Sequence, residues 1–142
     1  MLQVRLLGQF DILNDGKRVV IPARAGQSLF AYLVLNAGAS HRREKLAGLV
    51  WPDTLDETAR RNLRQQLWLI RKALVAPQSA TADFLRVDEM SIAFDPQADF
   101  WLDVAQLSRP LTADDELNDL LSKLALYRGE LLPGFYDDWV GL

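Results

Sequence analysis

The amino-acid sequence predicts an α+β fold in which a small antiparallel sheet comes first, three helices follow, and a β-hairpin comes after them. Three observations support this order. Short apolar runs at the N-terminus are separated by turn-forming residues, apolar residues then recur at helical spacing, and two further apolar runs flank a polar turn after the longest helix. With 142 residues, of which 49% are hydrophobic, the chain is long enough to bury a core.

Three short strands are predicted at the N-terminus. Gly8 separates the first two, Asn14-Asp15-Gly16 is typical of a tight hairpin turn, and Pro22 ends the third. The predicted strands are Leu2–Leu7, Phe10–Leu13 and Lys17–Ile21.

Three helices are predicted next. Leu29 and Leu33 support the first helix, and Leu46 and Leu49 support the second, because they recur at helical spacing. A short turn at Pro52 joins the second helix to the third, which is the pattern of a helix-turn-helix. The predicted helices are Gln27–Ala37, Arg42–Trp51 and Thr54–Leu74.

A β-hairpin is predicted after the third helix, with strands Phe84–Val87 and Ser91–Phe94. A helix-turn-helix followed by a hairpin is a winged helix-turn-helix, here with an N-terminal antiparallel sheet and a C-terminal β-hairpin wing. We therefore predict a winged-helix domain at residues 1–97 and the start of a helical domain at residues 98–142.

The C-terminal segment is acidic and helical in pattern. Helices are predicted to start at Asp103–Leu107 and to cover Ala113–Tyr127, where leucines recur at i, i+3, i+4 and i+7. No element follows Phe135, Tyr136 and Trp139 to cover them. We therefore expect the chain to be part of a longer protein.

The third predicted helix is amphipathic. Thr54 is expected to be its N-cap, with Glu57 completing a capping box. The apolar stripe along this helix comprises Ala59, Leu63, Leu67, Ile70 and Leu74. The opposite side comprises Arg61, Gln65, Trp68 and Lys72, flanked by Thr58 and Arg64. One side is therefore expected to pack and the other to face solvent or a ligand.

The solvent side of this helix carries side chains of the types that read DNA in the major groove. Arg forms paired hydrogen bonds with guanine and Gln with adenine. We assign base contacts to Arg61, Arg64, Gln65 and Lys72. Phosphate contacts, which position a protein without reading sequence, are assigned to Thr58, Arg60 and Arg71. Further candidates for phosphate contacts are Arg24, Arg42, Arg43 and Lys45. The alternative interpretation is a solvated basic helix face.

Charge and residue usage limit the function classes. Residues 1–76 contain 12 Lys and Arg against 6 Asp and Glu, whereas residues 77–142 contain 4 against 13, so only the first part suits a polyanion.

The chain has no cysteine and one histidine, His41, which we expect at the surface or at a helix cap. We predict no metal site, no cofactor and no enzyme, because phosphate-binding loops and catalytic motifs are also absent. No apolar run spans a membrane and no signal peptide is recognisable, which predicts a cytoplasmic protein.

Five segments of the chain follow one another in the order of a known family. They are L-L-G-Q-F with D-G-K-R-V-V-I-P, L-F-A-Y-L-V-L-N-A-G, K-L-A-G-L-V-W-P-D, A-R-R-N-L-R-Q-Q-L-W-L-I-R-K-A-L and A-L-Y-R-G-E-L-L-P-G-F-Y-D-D-W. In this respect the chain resembles the SARP-type bacterial transcriptional activators. The resemblance implies an OmpR/PhoB-like winged-helix DNA-binding domain with a four-stranded N-terminal sheet, followed by the start of a tetratricopeptide-like bacterial transcriptional activation domain.

The resemblance also implies partners. Such activators bind double-stranded promoter DNA, usually as a homodimer on direct repeats, and recruit RNA polymerase. The turn before the third helix is the implied polymerase contact, with Asp53 and Asp56 as the contacting residues. The alternative is that these acids only stabilise the helix N-terminus.

The wing departs from the family pattern. Its tip carries Asp88 and Glu89 where the family tends to have basic residues, and Arg86 is the nearby cation that we assign to DNA. Trp68 is expected to contact either the wing or the sugar-phosphate backbone.

A function of another class stays open: the helical C-terminal segment would then serve as a protein-interaction module without specific DNA binding.

Overall fold

The computed structural model describes residues 1–74, 84–108 and 131–132. Within these residues, four α-helices and two small β-sheets form a mixed α/β fold. They belong to two compact units. The sheet unit comprises the described residues among 1–18 and 99–136, and the helix unit comprises those among 19–98.

The elements are short apart from two helices. The strands are β1 (Leu2–Arg5), β2 (Asp11–Asn14), β3 (Lys17–Arg18), β4 (His41–Arg42), β5 (Leu85–Val87), β6 (Ser91–Phe94) and β7 (Phe100–Leu102). The helices are α1 (Arg24–Leu35), α2 (Arg43–Val50), α3 (Asp56–Leu74) and α4 (Asp103–Ser108).

The sheet unit contains a four-stranded sheet in the order β3-β2-β1-β7. β1 and β2 are antiparallel, with Val4 opposite Ile12, and both side chains are buried. Asp15 and Gly16 connect β2 to β3 with φ angles of 51° and 80°. Two successive residues at positive φ are typical of the tightest hairpin turns, which explains the Asp-Gly pair. β7 lies parallel to β1, so the sheet is mixed.

A buried carboxylate holds the start of α4. Asp103 is only 2% exposed. Its oxygens accept hydrogen bonds from the backbone N–H of Leu6 at 3.1 and 3.0 Å, of Leu7 at 3.0 Å and of Val104 at 2.8 Å. A carboxylate is stable in a protein interior only with such donors. Asp103 therefore fixes α4 to the chain that leaves β1.

α3 packs against both α1 and α2 in the helix unit. The buried residues of α3 are Ala59, Leu63, Leu67, Ile70 and Leu74. α1 and α3 approach closely at Gly26, where an added Cβ would lie 2.5 Å from Oε1 of Gln66. Only glycine fits at this crossing unless the glutamine side chain moves.

The second sheet has the strand order β4-β6-β5. β5 and β6 form an antiparallel hairpin with Val87 opposite Ile92, and β4 pairs antiparallel with β6 on its other side. Phe94, at the end of β6, packs edge-on against Phe30 of α1 with ring centroids 6.2 Å apart. It also stacks on Phe84 at 6.3 Å. These aromatic contacts hold the hairpin against the helices.

Several sequence predictions are confirmed. The predicted apolar stripe of the third helix is the set of residues that α3 buries, and the β5–β6 hairpin forms where it was expected. The start of that helix differs. The carbonyl of Leu55 accepts a hydrogen bond from the N–H of Ala59 at 2.8 Å and the helix begins at Asp56, so the prediction of Thr54 as N-cap is wrong.

Two strands were not predicted from the sequence. β4 has two residues and β7 has three, and β7 supplies the fourth strand of the N-terminal sheet from a distant part of the chain. The predicted helix Ala113–Tyr127 and the aromatic residues Phe135, Tyr136 and Trp139 lie outside the described residues. The division into domains 1–97 and 98–142 stays a prediction.

His41 is buried in β4, with 7% exposure, so the expectation of a surface contact is wrong. Its ring packs edge-on against Tyr32, with centroids 5.2 Å apart, and its Nε2 has no hydrogen-bond partner. Burial lowers the pKa of His41, the positive charge of Lys45 lowers it further, and a hydrogen bond with the backbone of Asn36 opposes both effects.

Asp103→Asn is expected to lower the free energy of unfolding by about 2–4 kcal/mol, because an amide presents N–H donors toward backbone N–H groups that need acceptors. Urea unfolding at pH 7 measures this difference. Asp99→Asn is the matched control, since the Asp99 side chain is 80% exposed; its effect should stay under about 0.5 kcal/mol. Equal losses in the two variants would contradict the role assigned to Asp103.

The free energy of unfolding is expected to fall as the pH is lowered from about 7 to 5.5. The folded-state pKa of His41 lies below its ordinary value. The unfolded chain therefore binds the proton first, and acidification favours unfolding, whereas stability is level above the ordinary pKa of about 6.5.

His41→Phe is the control for this pH effect, because it keeps a ring against Tyr32 but cannot be protonated. His41 is the only histidine, so the variant should lose most of the dependence in this pH window. Urea unfolding across the pH series measures it, and an unchanged slope in the variant would assign the effect to other groups.

Candidate functional site

The exposed side of α3 is the most strongly basic surface that the described helices present. The basic face, as we name it, comprises Thr58, Arg60, Arg61, Arg64, Gln65, Trp68, Arg71 and Lys72. Thr58 is half-buried and the other seven residues are exposed. Burial of the apolar stripe fixes this orientation, since a helix cannot turn one side inward without turning the other outward.

A groove of about 520 Å³ lies between the start of α2, the first half of α3 and the turn of the β5–β6 hairpin. We call it the tip groove. Five guanidinium groups line it, from Arg42, Arg43, Arg60, Arg61 and Arg64. Three carboxylates also line it, from Glu44, Glu57 and Glu89. Cations therefore outnumber anions, which favours an anionic ligand.

Arg43 attaches the hairpin turn to the start of α2. Its Nε and Nη2 atoms donate hydrogen bonds to the carbonyl oxygen of Asp88 at 3.0 and 2.8 Å. Its backbone N–H donates to the carbonyl of Met90 at 3.1 Å. Arg43, which the sequence predicts to contact phosphate, therefore also has a structural role that was not predicted.

The carboxylate of Asp88 organises the turn itself. It accepts hydrogen bonds from the backbone N–H of Met90 at 2.8 Å and of Ser91 at 2.6 Å. These bonds, with one from the Ser91 hydroxyl, hold the pKa of Asp88 below its ordinary value. Asp88 therefore serves the local turn, and both Asp88 and the neighbouring Glu89 are exposed at the tip.

Two predicted DNA-binding arginines form ion pairs. Nη2 of Arg86 lies 3.0 Å from the carboxylate of Asp95, and Nη2 of Arg60 lies 3.5 Å from that of Glu44. Both partners of the Arg60 pair are more than half exposed, so this pair contributes little stability and leaves Arg60 able to exchange partners. The Asp95 side chain is only 22% exposed, so Arg86 is held more firmly on the hairpin.

A second groove, of about 430 Å³, lies between α3 and β5. We call it the side groove. Its cationic residues are Arg43, Arg64, Arg71 and Lys72, and its apolar residues are Leu67, Trp68 and Val87. The Nζ atom of Lys72 lies 4.9 Å from the ring centroid of Trp68, and the ring is 60% exposed. The groove thus joins an open aromatic surface to several positive charges.

The turn between α2 and α3 presents an apolar residue that sequence reasoning missed. Leu55 is 81% exposed, and it lies between the exposed acids Asp53 and Asp56. A helix-capping role explains the acids but not the leucine. Leu55 immediately precedes α3, which begins at Asp56.

The described residues contain no group of three or more His, Cys, Asp or Glu side chains that would hold a metal ion. None of the helices within them is both long enough and apolar enough to cross a bilayer.

No protein-family model matches the chain, and no curated protein matches it. The resemblance to the SARP-type activators stays a prediction that rests on the sequence segments alone.

Proposed function

We propose that the helix unit is a winged helix that binds double-stranded DNA in a sequence-specific manner and so regulates transcription. In this proposal α3 is the recognition helix and the β5–β6 hairpin is the wing. The tip groove is the observation that carries the proposal, because five guanidinium groups converge there beside the hairpin turn. That convergence suits the phosphates of a polyanion better than it suits solvation alone.

The first half of α3 is proposed to read bases. Helix-turn-helix proteins place the N-terminal residues of the recognition helix against base edges in the major groove. Arg61, Arg64 and Gln65 lie in that half and are exposed. Each paired hydrogen bond from such a side chain discriminates between bases by about 1–3 kcal/mol.

Phosphate contacts are proposed to surround this region. Arg42, Arg43 and Arg60 line the tip groove, and Arg71 lines the side groove. Thr58 lies in the first turn of α3. Lys72, for which the sequence predicted a base contact, lies in the side groove over Trp68. We therefore group Lys72 with the phosphate contacts.

The wing is proposed to contact the outside of the duplex. The exposed Glu89 at its tip is repelled by the negative potential of a narrow minor groove. Arg86, the predicted cation of the wing, is paired with Asp95, so it binds a phosphate only by giving up that partner. Both features oppose insertion of the wing into the minor groove.

We also propose that the regulator is an activator whose α2–α3 turn contacts RNA polymerase. The proposal includes Leu55, because its apolar side chain is 81% exposed on the same turn as the two acids. Asp53 and Asp56 supply charge for a basic partner. Binding as a homodimer on direct repeats, which the family resemblance implies, stays a prediction.

Selection from random duplexes at near-physiological salt is expected to enrich one sequence motif. Affinity for that motif should fall with salt, by about 0.9 log units per log unit of salt for each phosphate contacted. Arg64→Ala should relax preference at one base position, whereas Arg71→Ala should weaken all duplexes alike. The absence of any enriched motif would contradict sequence-specific binding, and identical uniform losses would contradict the assignment of Arg64.

Leu55→Ala is expected to reduce activation about fivefold in a purified transcription assay with bacterial RNA polymerase and a selected site upstream of the promoter. Its affinity for DNA should stay unchanged, because Leu55 lines neither groove. Val20→Ala is the matched control, since Val20 is an exposed apolar residue elsewhere in the helix unit. A loss of transcription that follows a loss of DNA affinity would contradict a polymerase contact.

A further inference from the structure

Trp68 is an unusual residue for the outside of a helix. Its side chain is 60% exposed in the centre of a cationic surface, although tryptophan has a large apolar ring whose contact with water is costly. Lys72 lies one helical turn later, with Nζ 4.9 Å from the ring centroid. The ammonium group lies over one face of the indole ring, so the pair combines an apolar plane with a positive charge.

We propose that Trp68 and Lys72 together bind one nucleotide of the DNA backbone, the indole ring against the deoxyribose and the ammonium group on the adjoining phosphate. The inference rests on the proposed function and adds to it a contact that does not depend on charge. A deoxyribose has an apolar face next to an anionic phosphate. The Trp68–Lys72 pair offers an apolar ring to the sugar and an ammonium group to the phosphate.

The position of Trp68 along α3 favours the backbone over the bases. Trp68 lies seven residues after Arg61, which corresponds to about 10 Å of helix axis. The major groove is only about 12 Å wide. When Arg61 is at a base edge and α3 runs across the groove, Trp68 lies near the wall of the groove, where the sugar-phosphate strand runs.

The surroundings of Trp68 favour the same ligand. The side groove places Leu67 and Val87 beside the ring and Arg43 and Arg64 near it. A thymine methyl group would need only the apolar part of this groove, whereas a sugar-phosphate strand uses the apolar and the cationic parts together. A contact with the sugar reads no sequence, so it should strengthen binding to all duplexes.

The test compares Trp68→Ala, Lys72→Ala and Val20→Ala in the full chain, on the selected duplex and on one of unrelated sequence, over a series of salt concentrations. Trp68→Ala is expected to weaken both complexes about tenfold and to leave the salt slope unchanged, because the indole ring displaces no counterion. Lys72→Ala is expected to reduce the slope by about 0.9. Val20→Ala, which removes a side chain that is 65% exposed, should match the unaltered chain.

Trp68→Phe keeps an aromatic face and is expected to retain most of the affinity, and thermal unfolding confirms that each variant is folded. Unaltered DNA affinity in Trp68→Ala overturns the inference while leaving the proposed function intact. A loss confined to duplexes with thymine at one position, and abolished by uracil there, also overturns it in favour of a base contact. Failure of the unaltered chain to bind DNA overturns the inference together with the proposed function.

Discussion

Burial of one stripe of α3 is the constraint on which the candidate site depends. Consecutive residues on an α-helix are about 100° apart, so the orientation of every side chain follows once one side is fixed. Ala59, Leu63 and Leu67 fix the first half of the helix, and Ile70 and Leu74 fix the second. The arginines gain their common direction from these apolar contacts and not from one another, since like charges repel.

The hairpin depends on a different kind of interaction. Its aromatic end is packed on α1 through Phe94 and Phe30, whereas its turn is held by hydrogen bonds from Arg43 and by the carboxylate of Asp88. Apolar contacts at one end and polar contacts at the other fix β5 along its length. The side groove between β5 and α3 consequently has two walls that are each independently supported.

The features that the sequence predicts best are those that repeat over many residues. Nineteen residues of α3 give several turns of helical periodicity, and the buried stripe followed from it. β4 and β7 have two and three residues, which is too few for an alternating pattern, and each exists only because a partner strand lies beside it. The burial of His41 was not predicted, because His41 lies in the two-residue strand β4. The exposure of Leu55 was not predicted, because the capping pattern at Thr54 placed Leu55 inside the helix, one residue before the observed start at Asp56.

Arg43 connects these parts, because it donates to the hairpin turn and lines both grooves. A free arginine side chain loses about 2 kcal/mol of rotamer entropy when a ligand immobilises it. Arg43 has lost much of this freedom already through its two bonds to the Asp88 carbonyl. Preorganisation of this kind makes an encounter with an anion less unfavourable in entropy. A ligand that binds Arg43 in either groove is therefore expected to stabilise the hairpin turn as well.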